Sequence, residues 1–463
     1  MTAIGSVVVD HTPTGLREWA IQTFGTHDKA VLFAIMIAGA VLVAVGAGIA
    51  ERRDRPAGSI VFGVLGLAAA FAAFTRPSAT LIWTIPSLVG AVLGILLLRT
   101  LTRTVEPEFD RRRFLTIAGL TTVAAAGVGA FGRLVGASER KVSEDRTAFT
   151  LPAPAEPATP PPPDVDLRGP GLTPWETSNG SFYRIDTALT VPRLARADWS
   201  LRIFGMVDKE LTLTLDDLLK RPLIERYVTL TCVSNPVGGN LAGNAKWLGW
   251  RIKDLLAEAV VQPNADMVLS TSVDGFTAGT PLEALTDPRD SMLVIGMNGQ
   301  PLPIEHGYPA RLVVPGLYGY VSATKWVTSL EVTRFDKATA YWTDRGWSER
   351  GPIKTATRID VPQSNNRISA GPVTIAGVAW AQHRGIKAVE VQIDSGPWQP
   401  ARLAADYSSD TWRQWAFDWE ASKGPHVIRA RATDGTGMVQ TSDEADPMPD
   451  GATGWPEISV RID

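Results

Sequence analysis

Apolar residues are unevenly spread along this chain. Four long runs, at about 30–50, 57–74, 79–98 and 114–132, carry few or no charges, and all fall before residue 137. A helix crosses a bilayer with roughly 20 apolar residues. The segments joining the first three runs are too short to build a soluble fold around them, so residues 1–136 are expected to form a four-helix transmembrane anchor. Beyond it, 137–174 holds Leu151-Pro152-Ala153-Pro154 and Pro160 to Pro163, a composition that stays extended. This stretch is expected to be a spacer that holds the remainder off the bilayer. From 175 to 335, β-rich pieces at Trp199–Phe204, Tyr227–Cys232, Met267–Thr271, Ser291–Met297 and Arg311–Val314 alternate with helical stretches at Leu215–Leu219 and Ile252–Ala259. That pattern predicts a mixed α+β domain. A connector covers 336–357. Residues 358–463 read as short strands (Val373–Val378, Ala388–Ile393, Trp412–Trp419, His426–Ala432, Glu457–Ile462) with almost no helix. They predict an immunoglobulin-like β-sandwich with Trp380, Trp398, Trp412 and Trp415 in its core.

Charge orients the anchor. Arg52, Arg53 and Arg55 lie between runs one and two, and Arg99, Arg103, Arg111, Arg112 and Arg113 between runs three and four, whereas the loop between runs two and three carries only Arg76. Positive loops stay in the cytoplasm. An even number of spans then places everything after residue 137 on the extracytoplasmic side of the cell membrane. The run Arg111-Arg112-Arg113-Phe114-Leu115 fits two readings: a twin-arginine export signal and a plain topological anchor. The net charge of −3 gives no footing for nucleic acid.

The chain holds one cysteine, Cys232, so an internal disulfide is excluded. Taken alone, such a residue is more often a small buried apolar group. Its setting is a strand, Tyr227 to Thr231, followed by the glycine-rich loop Cys232-Val233-Ser234-Asn235-Pro236-Val237-Gly238-Gly239-Asn240, and reactive groups are often carried on a loop at a strand end. A thiolate is also a soft ligand suited to transition metals.

Five ordered blocks then point one way. They are Ser181-Phe182-Tyr183-Arg184; Leu230-Thr231-Cys232-Val233-Ser234-Asn235 with Gly243-Asn244-Ala245-Lys246-Trp247-Leu248-Gly249; Ser272-Val273-Asp274-Gly275-Phe276 ending in Pro281-Leu282; Met297 to Pro303 running into His306-Gly307-Tyr308-Pro309-Ala310-Arg311; and Val314 to Gly319 followed by Lys325-Trp326. Together they resemble the sulfite oxidase family, its bacterial members above all, over about 175–463. The resemblance implies a molybdenum–molybdopterin cofactor with Cys232 as the metal ligand. It further implies Arg184 and Cys232 as catalytic residues, and Phe182, Tyr183, Arg184, Asp274, His306, Arg311, Ala323, Thr324 and Lys325 as cofactor contacts. Each also has a plainer reading: His306 before Gly-Tyr-Pro is a turn residue, Arg311 pairs with a core carboxylate, and Asp274-Gly275 is a turn. As phosphate binders, Arg311 offers a bidentate fork and Lys325 a compact charge.

Two positions depart from the family pattern. Phe276 stands where a tyrosine is usual, leaving Tyr183, Tyr318 or Tyr320 to supply a hydroxyl. Ile185-Asp186 replaces an Asn-His pair, and a carboxylate there repels an anion if it faces the pocket. The expected activity is oxygen-atom transfer to or from a small oxyanion or sulfoxide, sulfite oxidation among the options. Alternatives are a sulfoxide-type reductase and a cofactor-free surface binding protein. No Cys-x-x-Cys-His motif is present, and one cysteine cannot hold an iron–sulfur cluster. No haem or cluster is therefore expected, and electrons pass to a separate cytochrome or quinone-linked carrier. Arg384 and Arg413 are candidates to reach the mouth of the site, and the C-terminal sandwich resembles the family's dimerisation domain, which implies a homodimer.

Overall fold

A computed structural model of the chain describes residues 140–463 without a break and, before them, 2–13, 28–53, 56–75, 81–102 and a few single positions. It divides into two compact units.

The first unit holds the N-terminal helices. Asp28–Arg53 and Ala57–Phe74 are long and apolar enough to cross a membrane by length and composition. The third expected span is shorter. Its helix starts only at Ile85, after a 3₁₀ turn at Leu81–Thr84, and its apolar part, Ile85–Thr100, falls below the length the first two reach. Pro86 explains the late start, since a proline is tolerated in the first turn of a helix and not in its interior. Two of the four expected spans therefore meet the test. The fourth and the Arg111-Arg112-Arg113 run lie outside the described residues. Close packing joins the helices: a Cβ on Gly66 would collide with that of Ala91, the small-residue contact that apolar helices use. Glu51, 1% exposed, accepts hydrogen bonds from Ser59 N (2.8 Å) and Oγ (2.9 Å), and Arg99 Nε donates to the same Oγ at 3.0 Å.

The second unit opens with the stretch expected to be a spacer. Its prolines keep it extended, as their composition dictates, but it is laced to the body of this unit. Arg146 donates to the carbonyls of Pro301 and Leu302, Asp145 accepts from Arg196 and Tyr308, and Glu156 binds Arg226 and Arg251. Residues 140–148 are helical.

Ten strands follow: β1 (Ser200–Gly205), β2 (Leu211–Thr214), β3 (Ile224–Thr231), β4 (Ala242–Arg251), β5 (Met267–Ser272), β6 (Thr277–Pro281), β7 (Met292–Met297), β8 (Gln300–Pro301), β9 (Arg311–Val313) and β10 (Val327–Thr333). They form two sheets, β2-β1-β10-β5-β6 and β3-β4-β7-β8, with β9 also paired to β7. Only β1 and β10 run parallel within these sheets. The helices Leu215–Leu219 and Ile252–Ala259 stand where the sequence predicts them, the first opened by a Thr214–Asp217 capping box. β4, the longest strand here, was not expected: Ala242-Gly243-Asn244-Ala245 reads as a loop by composition.

From 356 onward, nine further strands, β11 (Ala356–Val361), β12 (Arg367–Ile368), β13 (Gly371–Trp380), β14 (Ile386–Ile393), β15 (Gln399–Pro400), β16 (Arg402–Leu403), β17 (Arg413–Ala421), β18 (Gly424–Asp434) and β19 (Glu457–Ile462), form sheets β11-β13-β17-β16 and β12-β19-β18-β14-β15. The two share a core of Ile375, Ala379 and Trp415 from one and Val389, Val391, Ile428, Ala430 and Val460 from the other. Trp415 lies in this core as predicted, whereas Trp380 is buried outside it. Trp398 is not core: it meets Trp455 edge-on at 4.9 Å under Arg431. Trp412 is buried, but its indole donates to Trp175 O and its backbone N–H to Thr229 Oγ1. It therefore packs toward β3. That contact matters because β3 is an edge strand, and exposed edges need cover. Thr229 N donates to Asp410 O, and Gln382 Nε2 to Thr229 O, so the C-terminal region closes the edge of the strand that leads into Cys232.

Candidate active site

Cys232 is the first residue after β3. Its backbone N–H bonds Leu241 O across the loop, its carbonyl accepts from Asn235 N, and Asn235 Oδ1 in turn holds Leu241 N. These bonds fix the loop as a tight turn with the thiol buried. Burial pushes the thiol pKa up, opposed by the Ser234 N–H and hydroxyl and by the nearby Lys325 ammonium. As a free thiol it is a poor nucleophile; neighbouring donors and a cation are what a bound thiolate requires.

Around it lies a set of cations held by short elements. Arg311, first residue of β9, is 5% exposed. Its guanidinium donates to the carbonyls of Leu312, His306 and Ala323, each at 3.3 Å, and lies 5.3 Å from the Trp247 ring. Among the described residues no carboxylate sits within ion-pairing distance of it, and burial pulls its pKa down to about 10. The plainer reading, a pair with a core carboxylate, is thus set aside. Lys325 faces Arg311 through a β-bridge, and Gly307 (φ +112) makes room for that bridge: a Cβ there would stand 3.0 Å from the Arg311 Cβ and 3.2 Å from that of Lys325. Lys325 Nζ donates to Asp186 at 2.8 Å, and its pKa falls to about 8, chiefly by burial, with Asp186 opposing. Arg184 Nε reaches the same Asp186 oxygen at 2.8 Å.

Aromatic groups line the same region. Phe182 stacks on Tyr183 (5.2 Å) and meets Trp247 and His306 edge-on, at 5.7 and 5.6 Å. Burial, then the charge of Arg311, push His306 down to about 4, so the ring is neutral, with Nε2 3.1 Å from Asn179 O. Burial raises the Tyr183 pKa; Cys232 adds to that and Arg311 opposes it, so the phenol stands near both. Residues 188–342 match the family described as the oxidoreductase molybdopterin binding domain. The chain is 30% identical to mouse mitochondrial sulfite oxidase over 302 residues, covering 55% of this chain and 54% of that one. It is 32% identical to the uncharacterized oxidoreductase YuiH of Bacillus subtilis, covering 33% of this chain and 74% of that one. The chain belongs to the sulfite oxidase-like family of molybdopterin-binding oxidoreductases.

A solved relative in structure is the sulfane dehydrogenase SoxCD of Paracoccus pantotrophus, with TM-score 0.53, 27% identity, and coverage of 58% of this chain and 75% of that one. This chain spans about half the length of the mouse and human sulfite oxidases it matches. The molybdopterin cofactor that the sulfite oxidase-like family implies fits the residues present. A buried guanidinium without a carboxylate suits a phosphate, Cys232 offers a soft ligand beside a cation, and Gln382 Oε1 is a buried acceptor with no partner among the described residues. Gln382 Nε2 donates to Thr231 Oγ1, one residue from Cys232.

Of the predicted residues, the structure brings together Phe182, Tyr183, Arg184, Cys232, His306, Arg311 and Lys325. Ala323 joins through its carbonyl. Thr324 is fully buried, its hydroxyl 2.7 Å from Ser270 Oγ, so its side chain serves the sheet. Asp274 sits on the turn between β5 and β6, among the residues grouped with the first unit. Phe276 packs on Tyr341 at 5.8 Å. Of the tyrosines named in its place, Tyr320 donates to Ser348 O and is used up. Tyr318 is pushed up to about 12 by burial, and its oxygen accepts from Lys354 N. Arg384 and Arg413 bind Asp434 and the carbonyls of Ile353, Ala404 and Ile386, which makes them structural. Sequence reasoning missed Trp247, Asn179 and Gln382. Trp247 alone carried a signal, an indole two residues before a strand glycine.

Proposed function

We propose that the chain is a membrane-anchored, extracytoplasmic molybdenum oxidoreductase that transfers an oxygen atom to or from a small sulfur compound. Cys232 would ligate the metal, Arg311 and Lys325 would hold the cofactor phosphate, His306 would hydrogen-bond its ring system, and Arg184 would face the substrate. When bound, the cofactor supplies two-electron oxygen-atom transfer. The protein's part is to fix it: neutral His306 donates or accepts one hydrogen bond without adding charge, while the Phe182–Trp247 packing keeps water from the buried cations. In the oxidising direction sulfite and water give sulfate, two protons and two electrons. In the reducing direction a sulfoxide, two protons and two electrons give a sulfide and water. Either way the electrons belong to a separate carrier, a cytochrome or quinone-linked membrane protein. The two apolar N-terminal helices support the anchor, and the paired C-terminal sheets support an immunoglobulin-like module of 358–463 that would serve homodimerisation.

The observation that carries this reading is the buried, carboxylate-free Arg311 in one cluster with a buried cysteine at a strand end. Molybdenum and pterin analysis of the chain from a host competent in cofactor synthesis tests it. Near-stoichiometric metal is expected, and a metal-free, pterin-free preparation overturns it. Ferricyanide-linked sulfite oxidation, set against dye-linked sulfoxide reduction, then fixes the direction.

A further inference from the structure

Asp186 brings a carboxylate into the cationic cluster, and its position is unusual. Its side chain is 5% exposed, and the same oxygen, Oδ2, takes Arg184 Nε and Lys325 Nζ, each at 2.8 Å. The two cations come from chain segments 139 residues apart as counted from Asp186 to Lys325, so the carboxylate is a junction between distant elements. Lys325 in turn lies close enough to Cys232 to act on its thiol. If Arg311 and Lys325 hold the cofactor phosphate, as the reading above has it, Arg184 is the cation left at the mouth, its side chain 38% exposed. Asp186 already sits on it.

The geometry points to Asp186 as the residue that sets substrate charge: by neutralising Arg184 it makes the mouth of the site select uncharged sulfur–oxygen compounds over sulfite or sulfate dianions. This rests on the oxidoreductase reading above and names its substrate class. The physical basis is Coulombic. A fixed carboxylate within about 5 Å of an incoming dianion opposes each of its charges by more than about a hundredfold in affinity at an effective dielectric near 20. Solvent at the half-open mouth reduces this, so at least tenfold is expected. An uncharged sulfoxide feels neither the repulsion nor its relief.

Sulfate binding to the purified full-length chain, read by titration calorimetry in low-salt buffer, is the test. It needs no turnover. Asp186→Asn is expected to bind sulfate at least tenfold more tightly than the parent chain. Asp186→Glu is expected to stay within threefold of the parent, and Asp186→Asn combined with Arg184→Gln is expected to lose the gain. In the loaded enzyme the Asp186→Asn change should also lower the inhibition constant of sulfate against dimethyl sulfoxide reduction. Sulfate affinity within twofold of the parent in a variant with unchanged melting temperature overturns the proposal, and so does a gain that survives removal of Arg184. Should Asp186→Asn melt well below the parent, Asp186→Ser read by the same titration carries the decision. A chain without molybdenum defeats the oxidoreductase reading alone, because the gain in sulfate affinity in Asp186→Asn, and its loss when Arg184 is also removed, still reports the charge at Arg184.

Discussion

Replacing Arg311 with methionine separates a cofactor-binding cation from a structural one. The side chain is 5% exposed and its guanidinium meets three carbonyls at 3.3 Å and no carboxylate among the described residues. Its pKa falls from 12.5 to about 10, which corresponds to a penalty of about 3 kcal/mol for keeping the charge buried. The group is protonated in both folded and unfolded chains at pH 7, so the penalty is fully present there. Because the folded pKa lies below the unfolded one, stability is regained only as pH rises through about 10. Methionine has a similar length and no charge, and an apolar replacement of a buried charge is often neutral or stabilising. Loss of the long carbonyl contacts offsets part of the gain. Cofactor-free Arg311→Met, prepared in a host that makes no molybdopterin, is therefore expected to melt no lower than the parent and up to about 5 °C higher. From a competent host it should carry less than about a tenth of the parent's molybdenum, since a buried cation removed from a phosphate costs several kcal/mol. Calorimetric melts and metal analysis read both. A variant that melts lower while keeping full metal content refutes the reasoning and makes Arg311 a structural residue.

Three further outcomes follow from the same geometry. His306, with a pKa near 4 in the fold against 6.5 in an unfolded chain, binds fewer protons when folded, so stability is lost as pH falls from about 6.5 toward 4. The loss is about 2 kcal/mol by pH 5, and His306→Gln should flatten that part of a denaturant-midpoint curve against pH; an unchanged slope counts against a neutral, buried ring. Gly243→Ala puts a methyl 2.8 Å from the Phe182 ring. That overpacking should destabilise the chain by about 1–3 kcal/mol and lower cofactor content, read by urea unfolding and metal analysis, with an unaffected variant showing that Phe182 is mobile. Trp247→Phe removes the indole N–H donated to Val228 O at 3.0 Å, a second donor to a carbonyl on a strand already paired with β4. It should cost about 0.5–1.5 kcal/mol, measured by the same unfolding assay, and no measurable change would mean that this hydrogen bond adds nothing to stability.

Local pattern and composition made much of this protein legible. The β-branched run Tyr227 to Thr231 ahead of a glycine-rich loop announced the strand and turn that present Cys232, and the helices at Leu215–Leu219 and Ile252–Ala259 stand where the sequence places them. β4 stayed hidden because its small residues answer to a neighbour, not to strand propensity: Gly243 lacks a side chain so that Phe182 can lie against it. The proline-rich stretch was read as an extended spacer, and its ties to the rest of the second unit were not legible, since the partners of Arg146 and Glu156 lie far along the chain. The same limit applies to the site. Motifs identified Cys232, Arg311 and Lys325 one by one, but that Asp186 joins Arg184 to Lys325, or that Gln382 reaches Thr231 from the C-terminal sheets, depends on tertiary contacts that no local pattern encodes.

Molybdenum X-ray absorption on the purified chain and its Cys232→Ser variant addresses the central claim directly. The account predicts that the parent shows a sulfur neighbour beyond those of the pterin, and that the variant folds with the same melting temperature, loses that one neighbour and loses turnover. An identical sulfur count in the two proteins, or full activity in the variant, would contradict it.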